Sequence, residues 1–113
     1  MDTTNAAEVF VKEVSGYAGN AAVGVRIQHS DSEINLVLEY EETHQLTALS
    51  DSDPGSVQIG TVAGVAAFWS NDNGRIAILV GTDHEFWDFG LWMNEPDLLE
   101  IIEQVEQLSR ADL

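Results

Sequence analysis

Residues 22–41 read AVGVRIQHSDSEINLVLEYE, and this stretch decides the fold class. Val23, Val25 and Ile27 alternate with Gly24, Arg26 and Gln28; Ile34, Leu36, Leu38 and Tyr40 alternate with Asn35, Val37, Glu39 and Glu41. A period of two sends successive side chains to opposite faces of a strand, so each run offers one face to a core. His29-Ser30-Asp31-Ser32 between them is polar and turn-forming, which predicts an antiparallel hairpin.

Downstream of it, the segment around Gln45 to Leu49 is predicted as a third strand. Asp51-Ser52-Asp53-Pro54-Gly55-Ser56 is a turn by its Asp, Pro and Gly chemistry, and Val57 to Ile59 a short strand. Val65 to Trp69 and Arg75 to Val80 are nearly continuous apolar runs, as expected for central strands. They flank Asn71-Asp72-Asn73-Gly74, read as a four-residue hairpin loop with glycine where positive φ is needed. Glu85 to Met93 is aromatic-rich and reads as the last strand. Its alternating sets are Trp87, Phe89, Leu91 and Met93, and Phe86, Asp88, Gly90 and Trp92. One set packs under a helix; the other, with aromatics beside an acid, is either covered as core by the second helix or suits a protein interface.

Both ends carry helical spacing. From about Thr4 to Tyr17, Ala6, Val9, Phe10, Val14 and Tyr17 predict an amphipathic helix, with Thr3, Thr4 or Asn5 as N-cap and Gly16, Gly19 and Asn20 as stop signals. At the other end Asn94 caps, Pro96 fits the first turn, and Leu98, Ile101, Ile102, Val105 and Leu108 form one apolar stripe. A chain of 113 residues suits one core, so residues 1–113 are read as a single α+β domain. The expected architecture is a meandering antiparallel sheet of about five to six strands with an N-terminal and a C-terminal helix packed on it.

Twenty acidic residues stand against Lys12, Arg26, Arg75 and Arg110, a formal net charge of −16. Direct binding to nucleic acid or anionic lipid works by neutralising phosphate with clustered bases, and no basic cluster exists. A strong negative field favours encounter with a basic protein instead. The chain has no cysteine, which removes disulfides, thiolate metal sites and cysteine nucleophiles and suits a reducing compartment. The N-terminus lacks a signal-peptide pattern, and no run approaches the roughly 18 apolar residues of a membrane span. A cytoplasmic protein, monomeric or weakly dimeric, is expected.

Catalytic signatures are missing: there is no G-x-S-x-G elbow, P-loop or dinucleotide fingerprint. His29, His44 and His84 lack the i, i+4 pairing of a zinc protease. Asp83-His84-Glu85 with Asp88 groups carboxylates and an imidazole, but strand alternation sends His84 and Glu85 to opposite faces. Asp51 and Asp53 open like a calcium loop, yet Ser56 and Val62 stand where it needs glycine and glutamate. No enzyme activity, cofactor or metal is expected.

The stretch Ser56 to Gly74, SVQIGTVAGVAAFWSNDNG, followed by an aromatic strand and a C-terminal amphipathic helix, resembles immunity proteins encoded beside bacterial polymorphic toxins. It is most similar to the family that accompanies deaminase toxins. The resemblance rests on strand order and turn position; it implies a cytoplasmic antidote that plugs a toxin's active site and has no catalysis of its own. No site residue of that family is carried over.

The expected function is therefore an acidic inhibitor that neutralises a basic protein partner, a toxin or another nucleic-acid-acting enzyme. Glu39, Glu41, Glu42, Asp83, Glu85, Asp88 and Trp92 are the candidate partner contacts, acids for the partner's lysines and arginines and an aromatic anchor for desolvated area. A phage-type DNA mimic and an acidic housekeeping domain of a salt-adapted organism are the alternatives.

Overall fold

Val23, Val25 and Ile27 face Leu38, Leu36 and Ile34 across an antiparallel ladder, as their alternation predicts. All six are at most 2% exposed. The computed structural model describes residues 7–16, 19, 21–29, 32–51, 56–83 and 86–111. The elements are β1 (Glu8–Ser15), β2 (Ala21–His29), β3 (Ser32–Glu39), a 3-10 turn (Tyr40–Thr43), α1 (His44–Asp51), β4 (Val57–Val62), β5 (Val65–Asp72), β6 (Arg75–Gly81), β7 (Trp87–Asn94) and α2 (Glu95–Ala111). Seven strands pair antiparallel in sequence order, one more than the upper expectation. Trp69, fully buried and donating its indole N–H to the Ile59 carbonyl at 2.9 Å, belongs to the core.

The extra strand comes from the N-terminal segment. Residues 8–15 form β1, not a helix, with Val9 and Val11 packed toward the core while Glu8, Phe10 and Lys12 are exposed. Val9 and Val11 share the core face of the strand and Phe10 and Val14 the other, so the apolar residues on both faces imitate helical spacing; but β-branched valines favour a pleated strand, and the free edge of β2 is there to be paired. The proposed caps at residues 3–5 lie outside the described residues. The expected third strand is likewise corrected: Gln45 to Leu49 lies in α1, where Leu46 and Leu49, three apart on one helical face, are both fully buried. Residues 52–55, the middle of the Asp-Pro-Gly turn, and residues 30–31 of the first hairpin turn lie outside the described residues.

Between β5 and β6 the strands run on to Asp72 and Arg75, leaving a two-residue turn in place of the four-residue loop. Asn73 (φ 54°) and Gly74 (φ 91°) supply the two positive φ values that such a turn needs. Asn71 is thereby freed to brace it: its side chain accepts the Gly74 N–H at 2.8 Å and donates to the Leu49 carbonyl in α1 at 2.9 Å.

α2 begins where expected and buries Leu98, Ile101 and Val105, with Ile102 and Leu108 half-buried. It packs most extensively on β1, and also on α1, β7 and β6, so the sheet curls toward the helix from both ends. Asp97, 8% exposed, joins the two edges: its carboxylate accepts the Ala7 N–H at 3.3 Å and the Asn94 N–H at 3.2 Å. Two turns of helix further on, Gln104 donates to the Val9 carbonyl at 3.1 Å.

Candidate protein-docking surface

The face of the sheet turned away from α2 has two chemically distinct halves. Over β1–β3 the cross-strand rows are Glu8, Gln28 and Glu33, then Phe10, Arg26 and Asn35. Their polar groups satisfy one another: Gln28 donates to Glu33 at 2.8 Å, Asn35 to Glu33 at 3.0 Å and Arg26 Nε to Asn35 at 3.1 Å. Arg26 and Glu33 also form an ion pair at 3.8 Å. The amide donors of Gln28 and then Asn35 hold the Glu33 carboxyl below its ordinary value, and the Arg26 charge adds to this against a small opposing effect of burial.

Over β5–β7 the rows are Phe68, Leu79 and Gly90, then Ser70, Ala77 and Trp92, then Asp72, Arg75 and Asn94. Trp92 is 48% exposed, and the Arg75 guanidinium lies 4.4 Å from the centre of its ring, a cation–π contact that keeps the indole upright beside Ala77. A bulge in the β6–β7 ladder sets Phe89 opposite Val80 but Trp87 opposite Gly81, so β7 holds one residue more than β6 there. Ring carbons of Trp87 lie 3.3 and 3.7 Å from where a Cβ on Gly90 would sit, beside Leu79. Trp87 therefore covers Gly90 on the outer face instead of following Leu91 and Met93 inward, which simple alternation along the strand does not foresee. Trp87 at 47% and Trp92 at 48% exposed thus share the outer face of β7, whereas Phe89, 37% exposed, lies opposite Val80 on the other face and Phe86, 72% exposed, precedes the strand; Asp88 and Asp72 are exposed as well.

The seven predicted contacts divide into three groups. Glu41, Asp88 and Trp92 are exposed. Glu42, Glu39 and Asp83 are half-buried and serve the backbone. Glu42 accepts the Glu39 N–H at 2.8 Å and the Gly60 N–H at 3.0 Å, and Glu39 caps the 3-10 turn in return. Gly60 sits at a β-bulge with φ 76°, where a Cβ would come within 2.9 Å of the Val37 carbonyl; Glu42 takes up a donor that the ladder does not use. Asp83 accepts the Phe86 N–H at 2.8 Å and shapes the approach to β7. Glu85, like His84, lies outside the described residues. Glu39 ends β3 and Glu41 and Glu42 follow it, whereas Asp88 and Trp92 are on β7, with three strands between, so the set is not one patch.

Lys12, Arg26 and Arg75 are exposed on the outer face, whereas Glu100, Glu103 and Glu106 are exposed along α2 with no described base beside them on the helix. A shallow cleft of about 240 Å³ lies between His29 at the end of β2 and Arg75, Trp92, Met93 and Asn94. No group of three or more His, Asp or Glu among the described residues is placed to hold a metal ion. Among the described residues, no helix is long and apolar enough to cross a membrane.

Compared with known proteins, the chain matches no family model, no curated protein and no solved structure.

Proposed function

We propose that this chain is an acidic binding protein that neutralises a basic protein partner, in the manner of an immunity protein blocking a toxin, and that the β6–β7 surface is where it docks. The observation that carries this reading is the pairing of two exposed indoles on the outer face, Trp87 and Trp92, with a body of net charge −16. Aromatic anchors contribute most of the energy of a typical interface, and the long-range field supplies rate and choice of partner. Exposed indoles also favour a protein over a mere imitation of DNA, which requires spaced carboxylates and no apolar centre. The site is held by rigid elements, since the Arg75 stack and the Trp87–Gly90 contact set both indoles before any partner arrives.

The test is reconstitution with the basic protein encoded beside this chain. A one-to-one complex that inhibits that protein, weakens with added salt and weakens again on Trp92→Ala is expected. Failure to bind any basic neighbour at low salt would sink the proposal. Competition by duplex DNA for unrelated DNA-binding proteins would point to the DNA mimic, and a stability maximum at molar salt without a partner to a salt-adapted domain.

A further inference from the structure

The geometry points to a mode of docking: the open edge of β7 receives an extended, lysine- or arginine-bearing segment of the partner as an additional strand. This inference rests on the binding reading above and specifies the partner's contacting chemistry.

Among the described residues β7 is the last strand of the sheet, paired with β6 alone. The Asn94 N–H is turned to Asp97 and not to β6. Because backbone groups alternate sides along a strand, those of Trp92 and Gly90 face the same open side. No described group bonds them there. Strand β1, the other edge, shows the contrast: its outward Ala7 N–H and Val9 carbonyl are taken by Asp97 and Gln104 of α2.

Natural sheets protect an open edge with lysine, proline or an inward charge, because an unprotected one recruits other chains. Phe89-Gly90-Leu91-Trp92-Met93 contains none of these. The bulge and Asp88 lie at the start of the strand and leave those five residues regular. A second copy of this chain would bring a further −16 charges to the same edge, whereas a cationic strand is attracted to it. An added strand gains ladder hydrogen bonds at Gly90 and Trp92 and places alternate side chains beside Trp92 on one face and Phe89 on the other, with Asp88 in reach of a cation.

Amide hydrogen exchange of the intact chain tests this, alone and with a peptide of alternating Lys and Val; a peptide of alternating Glu and Val is the control. The Gly90 and Trp92 amides are expected to exchange fast in the free chain and at least about tenfold more slowly with the Lys–Val peptide, with no slowing by the Glu–Val peptide and no change at Ile78 inside the sheet. Trp92→Lys, an exposed substitution that places a cation at the edge, is expected to weaken peptide binding about tenfold. The inference is overturned if the Lys–Val peptide fails to bind, if it binds while both amides stay fast, or if their protection instead grows with protein concentration in the absence of peptide, which would make the occupant a second copy. Inhibition of the neighbouring basic protein with both amides still fast would remove the strand addition and leave the binding reading standing. Loss of binding to every basic neighbour would remove both.

Discussion

β1 and β7 are both edge strands of one sheet, yet α2 bonds the backbone at the start of β1, while the outward backbone groups of Gly90 and Trp92 in β7 meet no described partner. Along β1 the backbone is capped by Asp97 and Gln104, Glu8, Lys12 and Glu13 are exposed, and the neighbouring outer surface is a closed network of Glu33, Gln28, Asn35 and Arg26. Along β7 the backbone meets α2 at its last residue, and the outer surface carries two half-exposed tryptophans. At the start of β1 two outward backbone groups are satisfied within the chain; at β7 only the Asn94 N–H is, among the described residues. A partner gains nothing by displacing bonds already made, so the unfinished edge is where binding energy is available.

The largest effect is expected at the seam. Asp97→Ala strands the Ala7 and Asn94 N–H groups and should cost about 2–4 kcal/mol, read as a lower urea midpoint and faster exchange at Ala7 and Asn94. If stability is unchanged, the sealing of β1 is not energetic. Trp92→Ala inverts the pattern: folding should fall by less than about 1 kcal/mol because the ring is half in water, while partner affinity falls by about 2 kcal/mol or roughly thirtyfold. A large stability loss with unchanged affinity would mean that β7 is as finished as β1. Gln104→Ala, which uncovers only the Val9 carbonyl, should cost about 1 kcal/mol.

The smallest effect concerns pH. The Glu33 carboxyl is depressed in the folded chain, so its contribution is fully present above the ordinary value of 4.5 and disappears as pH falls through the lower folded value. A modest difference in urea midpoint between the native chain and Glu33→Gln is expected near neutrality, shrinking below that pH. A difference that grows in acid would mean the network does not favour the charged form.

Legibility followed the length and purity of each pattern. The β2–β3 hairpin and α2 were readable because alternation or helical spacing runs through each without a competitor. β1 was illegible because apolar residues on both of its faces, Val9 with Val11 and Phe10 with Val14, imitate helical spacing, and only the open edge of β2 decides for a strand. α1 was misread because eight residues cannot hold a helix alone; Leu46 and Leu49 become helical by packing into the core. At the site, Trp92 as an exposed aromatic and Asp88 as an exposed acid were legible from the strand they lie on. The role of Glu42 was not, since its second partner is the Gly60 backbone, 18 residues away. Nor was the outward turn of Trp87, since one bulged residue resets the alternation.

Sequence alone determined the charge, the α+β class, the β2–β3 pairing and the position of α2, because each depends on composition or on neighbours within a few residues. Tertiary structure decided which edge is closed, which face Trp87 takes and which acids are spent on the backbone. These outcomes turn on contacts between residues distant in the chain, as when Asp97 meets Ala7, and no local pattern encodes a contact whose partner lies at the far end of the polypeptide.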